Sequence, residues 1–202
     1  MNAPLTKARA DRNPDDAYAT PERLARAICA RLAPLIPHPL RVLEPGCGTG
    51  PFLRAAASTW PGAIICGVDL HPWELGDLGG SIHTFQGDFL TDTPNWHRGP
   101  IGLAIGNPPY LLAEAFARRA LQLVAHRGHV AFLLPLTFLS SVQRVPFFRE
   151  YPLRFLLPIA GRPSFTDDGK TAAAEYAVFA WERGHSGRFE GLAPLEWKEP
   201  QR

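Results

Sequence analysis

The stretch RVLEPGCGTG, at positions 41–50, decides the fold class. A short apolar segment runs into a turn with glycine at three alternate positions, and PFLRAAAST follows at once with a helical pattern. This order predicts a buried strand, a tight turn and a helix. Glycine permits a tight turn, a close approach of a ligand to the backbone and close packing of helix on strand. Gly46, Gly48 and Gly50 are therefore candidate binding residues for a nucleotide-type ligand.

Helical and buried-strand patterns alternate on both sides of this turn. The segment TPERLARAICARLAPLI predicts a helix with Thr20 as its N-cap and Pro21 as its first helical residue. Another helix is expected over 111–128, with Gly128 as its C-cap. The segments expected to form further strands are AIICGVDL, IHTFQGDFL, IGLAIG, HVAFLLPLTFL, LRFLLPI and AEYAVFAW. The alternation predicts an open α/β sheet that is mainly parallel.

The length and composition fit one globular domain. A chain of 202 residues, 46% hydrophobic and 20% charged, is long enough to bury a sizeable core. No apolar run is long enough to cross a bilayer and no signal peptide is visible, so a cytoplasmic protein is expected. Three scattered cysteines suit neither a disulfide framework nor a zinc site, and no metal is expected. The net charge of +2 neither implies nor excludes a polyanionic partner, because a local patch is enough.

Two acids near the turn suit a cationic nucleoside better than a dinucleotide. Asp69 follows Gly50 by 19 positions, at the end of the next apolar run, where doubly wound folds hold a ribose diol. Glu44 directly precedes the turn, where its negative charge would repel a pyrophosphate and suit a cationic ligand. The alternative role for Glu44 is structural, as a carboxylate that caps loop amides. S-adenosylmethionine carries a sulfonium, an ammonium, a ribose diol and an adenine, and no phosphate. It fits this arrangement of charge better than NAD does.

A third acid and a proline corner follow the later strands. Asp88, in GDFL at 87–90, lies where an adenine amino group could be bound, and taken alone it is typical of a turn. The segment IGLAIG runs into NPPY, at 107–110, where two consecutive prolines fix two φ angles and remove two backbone donors. An isolated Asn-Pro-Pro would mark a surface turn. Here a buried strand precedes it, and the glycine turn lies in the same chain.

The motifs VLEPGCGTG, GVDL, GDFL and GNPPY, in this order and spacing, resemble class I S-adenosylmethionine-dependent methyltransferases. The N/D-PP-Y/F signature is typical of the amino-methylating branch, which includes DNA adenine-N6 methyltransferases and the glutamine methyltransferases of release factors. The match runs from about position 18 to 110 and, more loosely, to Trp181. It implies a Rossmann-like, doubly wound, mostly parallel seven-stranded sheet with helices on both faces, and S-adenosylmethionine as the cofactor.

The resemblance also implies roles for individual residues. Asn107, through its side-chain oxygen, and Pro108, through its carbonyl, would accept the hydrogens of a weakly nucleophilic amine, while Pro109 holds the corner. Tyr110 would stack on a planar substrate. Positioning is expected to supply most of the rate. The residues expected to bind the cofactor are Tyr18, Thr20, Pro21, Glu44, Gly46, Gly48, Gly50, Asp69, Leu70, Asp88, Phe89 and Asn107.

Two features favour a nucleic-acid acceptor. DDAYATPERLARAI resembles the Tyr-x-Thr-Pro segment with which many adenine-N6 enzymes close over the methionine end of the cofactor, although an ordinary helix start explains Thr20 and Pro21 as well. AGRPSF, GKTAAAEYAVFAWERG and LEWKEP resemble a compact group of phage- and prophage-type methyltransferases described as DNA adenine enzymes. That resemblance makes Phe165 a candidate second ring, which would sandwich a flipped base with Tyr110. A core position is the alternative for Phe165.

The predicted domain organisation is a flexible tail at 1–14, a methyltransferase domain at 15–185 and a short C-terminal tail at 186–202, with no separate target-recognition domain. Basic residues after the fifth strand form a loose group that could follow a phosphate backbone, or else a solvated loop face. They are Arg144, Arg149, Arg154, Arg162 and Lys170.

The preferred prediction is an S-adenosylmethionine-dependent amino-methyltransferase that methylates adenine N6 in DNA. A methyltransferase of a protein glutamine or a small-molecule amine is the first alternative, and the lack of a recognition region favours it. A catalytically silent nucleoside-binding interaction module is the second alternative. The intact GNPPY motif argues against that module, because loss of catalysis would be expected to reach Asn107 first.

Overall fold

A seven-stranded sheet forms the centre of the computed structural model, which describes residues 20–72, 82–92, 99–163, 165, 174–187 and 189. Its strands are β1 (Arg41–Pro45), β2 (Ile64–Asp69), β3 (Ile82–Gln86), β4 (Ile101–Gly106), β5 (Val124–Pro135), β6 (Phe155–Pro158) and β7 (Tyr176–Glu182). Their order across the sheet is β3-β2-β1-β4-β5-β7-β6. Strands β1 to β5 pair in parallel, and β7 lies antiparallel between β5 and β6. The prediction of a mostly parallel seven-stranded sheet is confirmed.

Helices cover both faces of this sheet. They are α1 (Glu22–Leu32), α2 (Pro51–Thr59), α3 (Ala113–Leu123) and α4 (Val145–Glu150). Neighbouring strand residues point to opposite faces, so Val42 packs with the apolar residues of α1 and α2 and Leu43 packs with those of α3 and α4. The two apolar clusters that result are the two halves of the core, as a doubly wound sheet requires.

The first helix begins one residue later than predicted. Pro21 has a ψ of 133°, which is extended, and it occupies the N-cap position without a side-chain cap. Thr20 is therefore not the N-cap, and its side chain is buried instead. The main chain of Pro21 still accepts a hydrogen bond from the amide of Ala25.

The helix predicted over 111–128 is wrong at both ends. Tyr110–Leu112 form a 3₁₀ turn, α3 ends at Leu123, and β5 starts at Val124. Gly128 lies inside β5, at an irregularity where the pairing shifts from Ile101↔Val124 to Leu103↔His129. A Cβ on Gly128 would lie 2.9 Å from two backbone carbonyl oxygens, so the glycine serves this bulge and not a helix end.

The strand order places the predicted site at one edge of the sheet. Strand β1 lies between β2 and β4, so successive crossovers leave β1 in opposite directions. Ligands of open α/β sheets bind at such a switch point, beyond the carboxyl ends of the strands. The antiparallel β7 starts at this same edge, because Tyr176 pairs with Pro135 at the end of β5.

Some predictions fall on parts of the chain that the structure does not describe. The tail at 1–14, all but three residues of the tail at 186–202, Tyr18 and Lys170 lie outside the described residues. Among the helices that are described, none is both long and apolar enough to cross a membrane.

Candidate active site

The glycine turn follows β1 and is bonded to the end of β2. Gly46, Gly48 and Gly50 have φ angles of 67°, 49° and 76°, in the left-handed region that favours glycine. The amides of Gly46 and Cys47 donate to the carbonyl of Val68 at 2.7 and 3.2 Å. A Cβ on Gly48 would meet no atom within 4 Å, so the turn has an open side there. A ligand can therefore approach its backbone.

The NPPY corner lies against this turn. A Cβ built on Gly46 would be 3.7 Å from Cδ of Pro109 and 3.6 Å from the ring of Phe116. One built on Gly106, the residue before Asn107, would be 3.4 Å from Cγ of Glu44. Two motifs that are 57 residues apart in the sequence, from Gly50 to Asn107, thus lie side by side in the fold.

Glu44 is buried beneath the turn. Its side chain is 2% exposed, and its Oε2 accepts a hydrogen bond from the amide of Leu53 at 2.9 Å. Burial raises the pKa of Glu44 well above its usual range, and the Leu53 bond and the charge of Arg54 oppose only part of this effect. The amide cap named as the alternative role is therefore present. One cap leaves a carboxylate with further acceptor capacity, so it does not exclude a cationic ligand.

Asp69 ends β2 and holds the turn in place. Its Oδ2 accepts from the amide of Gly48 at 2.9 Å, and its Oδ1 accepts from the amide of His71 at 2.9 Å. The side chain is half-buried and the next residue, Leu70, is exposed. The carboxylate therefore lies at the surface of the glycine turn, where the sequence predicted a grip on a ribose.

Asp88 and Phe89 follow β3 and have different surroundings. Oδ1 of Asp88 accepts from the amide of Leu90 at 2.8 Å, which is the turn role that the sequence allowed. Phe89 is buried, and its ring centroid lies 5.0 Å from that of Phe116. A Cβ on Gly46 would also be 3.6 Å from the ring of Phe116, so Phe89 packs on a ring that lies next to the glycine turn.

The amide of Asn107 and the ring of Tyr110 lie at the end of β4. The side-chain oxygen of Asn107 and the whole of Pro108 are buried. Pro109 has an extended ψ of 123° and accepts a hydrogen bond from the amide of Leu112, which closes the 3₁₀ turn. Rigid prolines on the carboxyl side of Asn107 thus fix where its amide sits.

Tyr176, which the sequence analysis did not single out, packs against two of the predicted site residues. Its ring centroid lies 5.7 Å from that of Tyr110 and 4.9 Å from that of Phe165, so the three rings form one aromatic cluster. Phe165 and Tyr110 are brought together through Tyr176. The sequence shows a tyrosine near the start of the strand segment AEYAVFAW. That residue lies at the site edge because β7 is antiparallel to β5, which the sequence pattern does not reveal.

The first residue of α1 is paired with α2. Glu22 pairs with Arg54, whose Nε donates to the carboxylate at 2.7 Å. Arg54 follows Leu53, the residue that Glu44 caps. The start of α1 is therefore held against α2, the helix that follows the glycine turn.

The basic residues after β5 do not form one group. Arg154 precedes β6 and pairs at 3.3 Å with Glu182, the last residue of β7, so it lies at the edge opposite the site. Arg162 pairs with Glu175 at the site edge. The guanidinium of Arg144 lies 4.3 Å from the ring centroid of Phe138, and Arg149 is exposed. The prediction of one basic group is wrong for Arg154. Because β6 runs antiparallel to β7, Arg154, just before β6, lies beside the end of β7, at the edge opposite the site.

Comparison with curated proteins shows a viral methyltransferase that is similar to part of this chain. No protein-family model matches the chain. The type II methyltransferase M.CvrRI of Paramecium bursaria Chlorella virus XZ-6E is 26% identical over 156 residues, which are 66% of this chain and 40% of the viral protein. The chain thus spans less than half the length of that relative.

Solved structures share the fold at low sequence identity. A Listeria monocytogenes protein assigned to the class I S-adenosylmethionine-dependent methyltransferases has a TM-score of 0.70 and 15% identity, over 94% of this chain and 69% of its own. A Pyrococcus horikoshii protein assigned to the RNA methyltransferases has a TM-score of 0.65 and 17% identity, over 87% and 95%. The M protein of the type I restriction enzyme EcoKI has a TM-score of 0.63 and 18% identity, over 91% and 49%. The chain has the class I S-adenosylmethionine-dependent methyltransferase fold.

Proposed function

We propose that this protein transfers a methyl group from S-adenosylmethionine to an amino nitrogen, and that its acceptor is N6 of adenine in DNA. The observation that carries the proposal is that the NPPY corner lies beside the glycine turn, since a Cβ built on Gly46 would be 3.7 Å from Cδ of Pro109. Two relatives support DNA as the acceptor, since one is a type II methyltransferase and another belongs to a type I restriction enzyme.

The residues around the glycine turn fit the cofactor. Glu44 is a buried carboxylate that suits an ammonium or sulfonium, and Asp69 has a carboxylate at the place expected for a ribose diol. The open side of Gly48 permits a close approach to backbone. Bound there, S-adenosylmethionine would supply an electrophilic methyl group.

The NPPY corner would prepare the acceptor nitrogen. An exocyclic amine of adenine is a poor nucleophile because its lone pair is delocalised into the ring. The side-chain oxygen of Asn107 and the carbonyl of Pro108 are two acceptors for its hydrogens, and accepting both favours a pyramidal nitrogen with an available lone pair. Neither proline offers an N–H that would compete. Holding the nitrogen in one orientation is the main contribution expected of these residues.

The acceptor is tested by incubating the protein with tritiated cofactor and four acceptors: duplex DNA, single-stranded DNA, RNA and a glutamine-containing peptide. Label in adenine of DNA, as N6-methyladenine, is the expected result. Label in RNA or peptide alone would reject DNA as the acceptor. Cofactor binding by calorimetry without label in any acceptor would favour the interaction module.

Replacing Asp69 with asparagine should weaken cofactor binding by roughly tenfold, because a hydrogen bond to a charged acceptor is worth more than one to a neutral acceptor. Asparagine keeps an oxygen for the amide of Gly48, so the turn should persist. Calorimetric affinity for the cofactor is the measurement, and the control is Glu182→Gln, which also removes a carboxylate charge but lies at the opposite edge of the sheet, where Glu182 pairs with Arg154. Unchanged affinity in the Asp69 variant would remove Asp69 from the ribose site.

Tyr176→Ala should lower kcat/KM for DNA by about tenfold without changing cofactor affinity, since Tyr110 and Phe165 both lose a ring that supports them. Tyr176→Phe keeps the ring and should behave as wild type. Phe155→Ala is the matched control, because Phe155 is equally buried, at 7% exposure, and lies at the other edge of the sheet. Equal losses in the Tyr176→Ala and Phe155→Ala variants would mean that Tyr176 serves only the fold.

A further inference from the structure

Five exposed apolar side chains lie in the two segments that follow β4 and β5. Leu111 is 82% exposed and Val142 is 85% exposed, more than any other large apolar residue in the described part of the chain. Leu112, Leu139 and Val145 are between 41% and 46% exposed. Scattered exposed apolar residues are ordinary, but a group of them beside a binding site indicates a surface that becomes covered. These five residues are called the apolar rim.

The apolar rim lies at the site edge of the sheet. Leu111 belongs to the turn Tyr110–Leu112 after β4, and Val142 starts the turn Val142–Arg144 after β5. Strands β4 and β5 are parallel neighbours, so both turns extend beyond the same edge. A 3₁₀ helix has three residues per turn, so each side chain is rotated by about a third of a turn from the one before it. Tyr110 packs inward on Tyr176, whereas Leu111 is in solvent.

The charge next to the apolar rim is positive. Positions 136–150 contain two arginines, Arg144 and Arg149, and one acid, Glu150, whose charge is paired with Arg118. Arg144 shares its turn with Val142, and Arg149 is exposed on α4. Apolar side chains flanked by arginine match duplex DNA, which has an apolar base stack between two phosphate backbones.

We propose that the substrate is duplex DNA and that Leu111 and Val142 enter the base stack where the target adenine leaves it; this rests on the proposed function. An adenine inside a duplex cannot reach Asn107, so the base has to rotate out of the helix. Its departure leaves a gap between the neighbouring base pairs. Apolar side chains inserted at such a step replace part of the lost stacking. Leu111 directly follows Tyr110 and is therefore in place to do so.

The test compares three substrates built around an adenine that the protein methylates in plasmid DNA: the paired duplex, the same duplex with the target adenine mismatched, and the single strand. Leu111→Ala and Val142→Ala should each lower kcat/KM on the paired duplex by about tenfold, because a paired base is the hardest to extrude. The mismatched and single-stranded substrates should be methylated as by wild type. Leu40→Ala is the control, since Leu40 is 73% exposed before β1, at the opposite edge.

A second readout does not depend on methyl transfer. With 2-aminopurine at the target position of the duplex, wild type should raise the fluorescence as the base leaves the stack, and the two rim variants should raise it less. Equal losses on all three substrates would overturn the inference, because the rim residues would then affect methyl transfer whether or not a base has to leave the duplex. No loss on any substrate would also overturn it and would leave the rim to a protein partner.

Failure of this inference differs from failure of the proposed function. If wild type methylates single-stranded DNA and never a duplex, the proposed function stands and the insertion of Leu111 and Val142 is wrong. If wild type methylates no DNA at all, the choice of DNA as acceptor is wrong.

Discussion

Asn107→Ala should lower kcat for methyl transfer roughly 100- to 1,000-fold but weaken cofactor binding far less, because Asn107 is one of many residues expected to bind the cofactor. Loss of one preorganised polar contact to the reacting group costs an effect of this size. The side-chain oxygen of Asn107 is buried at the end of β4, and the prolines that follow restrict its position. Single-turnover transfer rates and calorimetric cofactor affinity, measured on the same preparations, check both halves of the prediction.

Asn107→Asp is the matched control for this experiment. Aspartate has the same length and keeps acceptor oxygens at the corner, so much of the activity should survive. An alanine variant as active as wild type would show that the corner does not hold the acceptor nitrogen. A loss of cofactor affinity with an unchanged kcat would place Asn107 on the cofactor side alone.

The second large effect is expected at Glu44. Glu44→Gln keeps an oxygen for the amide of Leu53 and removes the negative charge. If that charge holds the cationic end of the cofactor, affinity should fall roughly 10- to 100-fold, the range for a hydrogen bond between charged groups. If Glu44 only caps the amide, affinity should not change. Calorimetry at a pH above neutrality separates the two cases.

The same substitution should act on stability in the opposite direction. Burial raises the pKa of Glu44 in the folded protein well above its usual range, so the folded state holds a proton that the unfolded state has released. This contribution is complete at a pH below the usual carboxyl pKa and is lost as the pH rises through the raised pKa. The glutamine variant cannot ionise, so it does not lose this stability as the pH rises. It should therefore be more stable than wild type at high pH, as measured by urea unfolding across a pH series.

A lower stability of Glu44→Gln at every pH would show that ionisation of buried Glu44 does not destabilise the folded protein. Cofactor binding should also release a proton, because a bound cation favours the ionised carboxylate. Calorimetry in buffers of different ionisation enthalpy measures that release, and the glutamine variant provides the baseline without it.

The strands and the turn could be read from the sequence because each depends on local chemistry. The continuous apolar run before Asp69 has no polar face, and Gly46, Gly48 and Gly50 need backbone angles that other residues avoid. The proximity of NPPY to the glycine turn depends on the topology of the sheet, since neighbouring parallel strands end at a common edge.

The misplaced elements show where local chemistry is ambiguous. Gly128 after a helical pattern is typical of a C-cap, yet it also serves a bulge, and only the pairing of β5 with β4 decides between them. Tyr176 and Arg154 depend on the direction of β7, which no local pattern reveals. An antiparallel β7 brings Tyr176 to the site and carries Arg154 and Glu182 to the opposite edge.

The central claim is that the glycine turn and the NPPY corner form one methyl-transfer site for adenine. A pulse–chase experiment tests it most directly: protein is loaded with cofactor carrying a labelled methyl group, then mixed with DNA and excess unlabelled cofactor. The account predicts labelled N6-methyladenine within the first turnover for wild type and almost none for Asn107→Ala. Wild type that binds the labelled cofactor and leaves every adenine unlabelled would contradict it.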